Sequence, residues 1–211
     1  AFYLDIRKDA LYCDPHDSLT RRAALTVMDR LFATLSAWLA PMLCFTMEEA
    51  WLTRFPNDKG SVHLRDFPDV PDAWDDAALR DKWHKVRQIR RVVTGALEIE
   101  RRERRIGSSL EASPLVHVAD DDLRSALEGL DLAEIAITSG ASLVAGEGPA
   151  DAFRLEDVPT VAVVFARAEG QKCARSWKIL AEVGGDPEFP TLSPRDAEAV
   201  RQFDRRAGRA G

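Results

Sequence analysis

The feature that most constrains the fold is a long segment, from residue 75 or 76 to residue 105, that carries two stripes at helical spacing. Apolar residues recur there every three or four positions, which predicts one long amphipathic helix. The apolar stripe consists of Leu79, Trp83, Val86, Val93 and Leu97. With about 100° per residue, a second stripe lies roughly a quarter turn away, and we call it the arginine stripe. It consists of Arg87, Arg91, Arg101, Arg102 and Arg105.

The arginine stripe lies in the basic region of an acidic chain. The 211 residues carry a net charge of -6, yet residues 82–107 hold nine basic and three acidic side chains. Because salt screens charge beyond about 10 Å, such a cluster can attract a phosphate backbone even though the whole chain is acidic. Two interpretations stay open: the arginines are solvated and pair with Glu98, Glu100 and Glu103, or they bind a polyanion.

Further helices are predicted before this segment. Apolar spacing predicts a helix over residues 18 or 19 to 40, which Pro41 ends. Thr46 and Glu49 have the spacing of a capping box, which predicts the start of a short helix. Residues 56–71 are rich in proline and turn residues, so an extended surface connection is expected there.

After residue 107 the pattern predicts a small α/β module. Strands are expected at 115–118, 135–138 and 160–168, an acid-started helix at 120–127 and a loop at 140–148. A last helix is expected from Pro194 to Arg206, with Ser193 as its N-cap.

Known catalytic motifs are absent from the sequence. It has no phosphate-binding glycine loop, no G-x-S-x-G and no H-E-x-x-H, and the scattered histidines suggest no catalysis. The cysteines form no C-x-x-C pair, and Cys13 and Cys44 are expected to be buried structural thiols. The three consecutive aspartates at 120–122 are expected to interact with the positive end of a helix dipole rather than to bind a metal ion. Without a membrane-length apolar run or a secretion signal, a cytoplasmic protein is expected.

Short motifs spread over nearly the whole chain carry a resemblance to a known family. They lie at 2–12, 21–24, 39–41 and 45–51, and synthetases for valine, leucine and methionine share parts of this layout. Two later segments favour the synthetase for isoleucine over the other three. They are Ile-Gly-Ser-Ser-Leu-Glu-Ala at 106–112 and Gly-Gln-Lys-Cys-Ala-Arg-Ser-Trp at 170–177. The chain thus resembles the C-terminal, tRNA-binding part of bacterial isoleucyl-tRNA synthetases.

The resemblance implies a mainly α fold in three parts. Residues 1–106 are expected to form an anticodon-binding helical bundle without its N-terminal part, and residues 107–168 the small α/β module. Residues 169–211 are expected to form a short zinc-knuckle-like module. The His-Ile-Gly-His and Lys-Met-Ser-Lys-Ser signatures of the ATP-binding domain do not occur, and the chain opens inside an apolar segment. We therefore expect a fragment of the enzyme without catalytic residues.

The knuckle-like module departs from the family pattern. Many relatives carry two C-x-x-C pairs that bind a structural zinc, and the matching positions are Cys173, Ser176, Ser193 and Asp196. Serine is a poor zinc ligand, and one thiolate with one carboxylate cannot close a tetrahedral site. No zinc is expected, and packing is expected to stabilise the module through Trp177, Ile179, Leu180, Phe189 and Leu192.

The resemblance also implies a function, namely recognition of the anticodon stem and loop of isoleucine tRNA. The arginine stripe would bind phosphates, while unstacked anticodon bases are read by aromatic stacking and hydrogen bonds to base edges. Lys172, Arg175 and Trp177 are the further candidate tRNA-binding residues. Trp177 is the candidate stacking platform, with a packing role as the alternative. The expected partners are isoleucine tRNA and the catalytic and editing domains of the same enzyme, and neither DNA nor a membrane. ATP and magnesium are implied for the full-length isoleucine-tRNA ligase, with no cofactor in this part.

Two other functions stay open. The chain could be a helical protein-interaction module whose basic face docks an acidic partner, or the equivalent region of a valyl-, leucyl- or methionyl-tRNA synthetase. A test of whether isolated tRNA competes for the basic face would distinguish the protein-interaction module from an RNA-binding region.

Overall fold

A computed structural model describes residues 2–56 and 60–208. About 50% of the chain is helical, and the strands form a four-stranded mixed sheet and a two-stranded hairpin. The chain divides into two compact units, one of residues 19–76 and one of residues 1–18 with 77–211. The expected three-part division at residues 106 and 168 stays a prediction.

The helices and strands are, in chain order, as follows. The helices are α1 (Phe2–Ile6), α2 (Lys8–Cys13), α3 (Leu19–Leu39), α4 (Cys44–Arg54), α5 (Ala77–Arg102), α6 (Asp121–Ser125), α7 (Leu132–Ala136) and α8 (Pro194–Arg206). The strands are β1 (Leu115–Val118), β2 (Ser142–Ala145), β3 (Phe153–Leu155), β4 (Val158–Val164), β5 (Gln171–Lys172) and β6 (Ile179–Leu180). No helix in the described residues is long and apolar enough to cross a membrane.

The unit of residues 19–76 is helical. Helix α3 confirms the predicted helix, although Leu31 and Leu35 of its apolar face are 43% and 47% exposed. It packs with α4 around Ala40, Trp51 and Val62. The capping-box prediction is wrong, because α4 already begins at Cys44 and no side chain caps it. The expected surface connection contains a short 3-10 helix at Val62–Leu64, while residues 57–59 fall outside the described residues.

Two side chains of this unit, Glu48 and Cys44, differ from what the sequence predicted or were not predicted at all. Glu48 accepts hydrogen bonds from the hydroxyl of Ser61 at 2.8 Å and the backbone N–H of Val62 at 2.9 Å. It therefore holds the connection against α4. Cys44 is exposed, so its expected burial is wrong, whereas Cys13, in the other unit, is buried as expected.

The larger unit is built around α5, which packs on the four-stranded sheet. Strand order is β2-β1-β4-β3, with β1 parallel to β2 and antiparallel to β4. The buried face of α5 consists of Val86, Ile89, Val92, Val93, Ala96, Leu97 and Glu100. Leu79 is 50% exposed, so the first residue of the predicted apolar stripe lies outside the core.

The strand predicted at 135–138 is wrong, because a short helix occupies this part of the chain. The carboxylate of Asp131 accepts hydrogen bonds from the backbone N–H groups of Ala133 and Glu134, which caps α7. The helix stops at Ile137, whose backbone is left-handed with φ of 58°. This local cap outweighs the β-propensity of the isoleucines.

The strands themselves differ from prediction at three places. The predicted loop at 140–148 contains β2, which pairs with β1 in parallel register. Strand β3 was not predicted, and β4 begins and ends earlier than residues 160–168. Strand β1 matches its predicted bounds, and Asp120 caps α6 as the dipole argument requires, although that helix stops at Ser125.

The C-terminal segment confirms the last helix. Helix α8 starts after Ser193, whose hydroxyl accepts from the backbone N–H of Asp196. A small core holds α8 to the β5–β6 hairpin through Cys173, Val183, Leu192 and Ala197, with Leu180, Phe189 and Val200 packed against it. Leu180, Phe189 and Leu192 therefore pack as expected, whereas Trp177 does not, since it is 62% exposed.

Candidate nucleic-acid interface

The first half of the arginine stripe lies exposed on α5. The guanidinium of Arg87 lies 5.7 Å from the ring centroid of Phe2, and Arg91 forms an ion pair with Asp157. Arg90, which the stripe omits, contacts the same Phe2 ring at 5.1 Å and donates to the carbonyl of Ile135. The Phe2 ring thus contacts two arginines of α5.

In the second half of the stripe, Arg101 and Arg102 lie in α5, whereas Arg105 lies beyond its end. Arg101 forms an ion pair with Glu98, and Arg105 bonds to Glu100 and Glu103, so the pairing interpretation holds for these two. Arg102 is exposed, and its side chain forms no hydrogen bond or ion pair within residues 2–56 and 60–208. It stays the most available cation of the stripe.

The predicted helix end at residue 105 is wrong by three residues. Helix α5 ends at Arg102, and Arg104 adopts a left-handed backbone with φ of 58°. Arg105 therefore leaves the helical stripe and turns back, its backbone N–H donating to the carbonyl of Glu100 at 2.9 Å. Arg104, which sequence reasoning missed, is exposed at this turn.

The turn continues into the motif at 106–112, which directs the chain towards β1. Ile106 is buried, and Ser108 and Glu111 form a capping box around the short 3-10 helix Ser109–Glu111. Glu111 also accepts from the backbone N–H of Gly107 at 3.1 Å. The motif is therefore a hydrogen-bonded connection from the basic end of α5 to β1.

The C-terminal candidates divide into an exposed pair and a bonded arginine. The ammonium of Lys172 lies 5.5 Å from the ring centroid of Trp177. Arg175 donates to the carboxylate of Asp196 at 2.9 Å and to the carbonyls of Tyr12 and Cys13. Arg175 thus connects the C-terminal segment to α2, while Lys172 and Trp177 face solvent.

The backbone of Trp177 is unusual for a large side chain. Its φ is 62°, in the left-handed region that costs L-residues roughly 1–2 kcal/mol. Strained residues of this kind cluster at ligand sites, and burial does not explain the strain here because the ring is exposed. The indole face is available for stacking.

A cavity of about 450 Å³ opens beside this indole. It lies between α2, α7 and the C-terminal segment, and Lys8, Tyr12 and Lys178 line it together with Trp177. Tyr12 is a second exposed aromatic ring at its edge. From the sequence, Tyr12 is only part of a family motif. Its position beside the same cavity as Trp177 could not be predicted, because the two residues come from distant segments of the chain.

The four positions that the sequence resemblance is expected to match to zinc ligands, residues 173, 176, 193 and 196, lie together, and their side chains do not fit the metal. They supply one thiol, two hydroxyls and one carboxylate, and the hydroxyls of Ser176 and Ser193 donate to Asp196. Zinc in structural sites takes thiolate and imidazole ligands instead. Within the described residues, no group of three or more His, Cys, Asp and Glu side chains could hold a metal ion.

Comparison with known proteins identifies the family of the chain. A family model described as the anticodon-binding domain of tRNA ligase matches residues 1–116. The chain is 60% identical to isoleucine-tRNA ligase of Agrobacterium fabrum and 58% identical to that of Brucella abortus, each over 96% of its length. It is 56% identical to isoleucine-tRNA ligase of Caulobacter vibrioides over 99% of its length. The chain spans 21% of the length of each of these relatives. Since the family model matches more than half of the residues, the chain belongs to the family of anticodon-binding domains of tRNA ligases.

Proposed function

We propose that this chain is the tRNA-binding region of an isoleucine-tRNA ligase and recognises the anticodon stem and loop of isoleucine tRNA. The observation that carries the proposal is the identity of 60% over 96% of the chain to such a ligase. This identity extends beyond the family match at residues 1–116 through the α/β module and the C-terminal segment. It therefore favours isoleucine over the valine, leucine and methionine enzymes.

The arginines of α5 supply the phosphate contacts in this proposal. Arg87, Arg91 and Arg102 are exposed along the helix, and exposed ion pairs such as Arg91 with Asp157 cost little to exchange for a phosphate. Arg101 exchanges its partner in the same way, whereas Arg105 is held more firmly by Glu100. Such contacts position the RNA without reading its sequence.

Base recognition is assigned to the C-terminal segment. Trp177 offers an exposed indole face with Lys172 against it, which suits an unstacked anticodon base next to a phosphate. Arg175 contributes by fixing the segment against α2, in addition to any contact with RNA.

The finer features of the module and the enzyme follow from the same proposal. Residues 169–211 correspond to the zinc knuckle of the relatives, with its fold and without its metal. The catalytic and editing domains of the ligase bind the acceptor end, and ATP with magnesium acts there rather than on this chain. The free state of Cys13, Cys44 and Cys173 is in keeping with the reducing cytoplasm.

A binding titration of this chain tests the proposal. Isoleucine tRNA and a non-cognate tRNA of similar length are titrated at two salt concentrations, with helicity monitored by circular dichroism. Tighter binding of the isoleucine tRNA, weakened by salt, supports the proposal, because phosphate contacts release counterions. Equal and weak binding of both tRNAs contradicts it.

The same titration addresses the interaction-module alternative. If the basic face docks an acidic protein, an acidic polypeptide such as polyglutamate will bind at the lower salt and tRNA will not displace it. Displacement by isoleucine tRNA at stoichiometric amounts favours the RNA-binding function.

A further inference from the structure

The C-terminal segment contains a largely buried polar cluster of four side chains. Cys173 and Ser176 lie in the turn between β5 and β6, whereas Ser193 and Asp196 lie at the start of α8. Cys173 and Asp196 are completely buried, and Ser193 is 1% exposed. Two separate parts of the chain therefore meet in one largely buried cluster, at the four positions that the family resemblance matches to zinc ligands.

A single oxygen atom is the centre of this cluster. Oδ2 of Asp196 accepts hydrogen bonds from the hydroxyls of Ser176 and Ser193, both at 2.8 Å. It also accepts from the thiol of Cys173, whose Sγ lies 3.2 Å away. Three side chains from both sides of the knuckle thus point at one atom, as ligands point at a metal.

We propose that the carboxylate oxygen of Asp196 takes the place of the zinc ion and holds the knuckle together by hydrogen bonds. The proposal rests on the correspondence of residues 169–211 with the zinc knuckle, and it does not depend on tRNA binding. The three distances are those of hydrogen bonds, whereas zinc holds sulfur at about 2.3 Å and oxygen at about 2.0–2.2 Å.

The chemistry of the donors supports this replacement. A buried carboxylate is costly unless several donors satisfy it, and hydroxyls and a thiol supply protons that a metal site has to lose. Burial by itself raises the pKa of Asp196, but the Ser193 hydroxyl and the positive charge of Arg195 outweigh it and lower the pKa. Cys173, Arg175, Ser176 and Ser193 all donate to this carboxylate, which is the acceptor in each of these hydrogen bonds.

The second oxygen of the same carboxylate attaches the cluster to α2, which a zinc ion bound by four thiolates could not do. Oδ1 of Asp196 accepts from Arg175 at 2.9 Å, and Arg175 donates in turn to the backbone of α2. Arg195 lies next to Asp196 and bonds to Asp9 of α2. Asp196 therefore both closes the knuckle and attaches it to α2.

The first test measures metal content and stability in the 211-residue chain without tRNA. We expect less than a tenth of an equivalent of zinc after purification, and no shift of the thermal midpoint on adding EDTA. Asp196→Asn should lower the midpoint by several degrees, because the amide cannot accept three bonds at one oxygen and loses the charge that Arg175 and Arg195 meet. Glu198→Gln is the matched control, since Glu198 forms a surface ion pair on the same helix.

The second test converts the cluster back into a metal site. Ser176→Cys, Ser193→Cys and Asp196→Cys together leave four thiols around the position of Oδ2, and this variant should bind one equivalent of cobalt with the absorption of a tetrahedral thiolate complex. A control carries three new cysteines at the exposed positions Ser125, Ser142 and Asp151. It should bind no stoichiometric cobalt.

Three results would overturn the proposal. They are one equivalent of zinc in the native chain whose removal lowers the thermal midpoint, an Asp196→Asn variant as stable as Glu198→Gln, and a triple-cysteine variant that binds no more cobalt than its control. Since tRNA is absent from every measurement, none of these results depends on the proposed tRNA-binding function.

Discussion

Arg105 donates through Nη2 to Oε1 of Glu100 at 2.6 Å, and its Nε donates to the other oxygen of the same carboxylate. Glu100 is 8% exposed at the end of the buried face of α5. The Arg105 hydrogen bonds lower the pKa of Glu100. The fork between these two side chains thus satisfies a nearly buried charge and fixes the turn after α5.

The first prediction follows from this fork. Arg105→Ala should lower the urea midpoint of the chain, because it leaves a nearly buried carboxylate without its partner. Arg101→Ala is the control, since its partner Glu98 is exposed and such pairs are worth about 0.2–1 kcal/mol. Equal midpoints for the two variants would show that Arg105 is an ordinary surface arginine.

The second prediction separates stability from RNA binding at Trp177. Trp177→Gly should be more stable than Trp177→Ala by about 1 kcal/mol in urea unfolding, because glycine adopts the left-handed backbone without strain. Both variants lose the exposed ring and should weaken tRNA binding equally, by about 1–3 kcal/mol for one stacked base.

A purely structural role for Trp177 predicts another outcome. In that case, the two variants would lose stability together, and tRNA binding would follow stability instead of the presence of the ring. Trp177→Phe serves as the conservative control, because it keeps an aromatic face on the same backbone and should retain most of the affinity.

The third prediction concerns the thiols. Burial first, and then the negative charges of Asp9 and Asp196, raise the pKa of the Cys13 thiol to about 11. At pH 7.5 iodoacetamide should therefore modify exposed Cys44 and spare Cys13 until the chain is unfolded. Mass spectrometry of the peptides reads the result, and Cys44→Ser should abolish the native-state labelling. Rapid modification of Cys13 in the folded chain would contradict its burial.

What could be predicted from the sequence depended on how local the signal is. Helix α5 was predicted from the spacing of its apolar residues, and α8 from its N-cap at Ser193. Both signals lie within a few neighbouring residues of the sequence. Strand β2 gave no such signal, because its residues are mostly exposed and it exists through pairing with β1. The end of α5 was missed since Arg104 takes a backbone usually reserved for glycine.

The candidate site shows the same limit. The positions of the arginine stripe followed from helical geometry, but their partners did not, because Asp157 and Phe2 reach α5 from distant parts of the chain. The family pattern indicated the four positions around Asp196, whereas the choice of its oxygen as common acceptor depends on the folded geometry.

The fourth prediction is a loss of stability in acid that involves Asp9. Burial raises the pKa of this carboxyl, but the Arg195 hydrogen bond and the charge of Lys178 outweigh burial and lower it. Because the folded pKa lies below the unfolded value of about 3.9, this stabilisation is complete above that pH and is lost as the pH falls through the folded pKa.

The variant Asp9→Asn isolates that contribution. It should be less stable than the native chain at neutral pH, and the difference should shrink as the pH falls below about 3.9 in urea titrations at each pH. Asp204→Asn, on α8, is the control and should leave the profile unchanged, because Asp204 forms no ion pair within the described residues. A difference that stays constant down to the acid limit would mean that the ionised state of Asp9 adds no stability.

The fifth prediction tests the arginine stripe itself. Replacing Arg87 and Arg91 together by Glu should weaken tRNA binding while leaving the helicity intact, because both side chains are exposed on α5. Each lost phosphate contact should also reduce the slope of log K against log salt by about 0.7–0.9. Tryptophan fluorescence titrations at several salt concentrations measure both effects, and circular dichroism measures helicity.

A control of equal charge makes this prediction specific. Arg205→Glu with Arg206→Glu changes the net charge by the same amount at the exposed end of α8. If phosphates lie along α5, only the stripe variant loses affinity and salt slope together, since screening keeps the charge at α8 from reaching a bound phosphate more than about 10 Å away. Equal losses in both variants would mean that net charge governs association. Unchanged binding in the stripe variant would remove Arg87 and Arg91 from the interface and leave Arg102 and the C-terminal pair to hold the RNA.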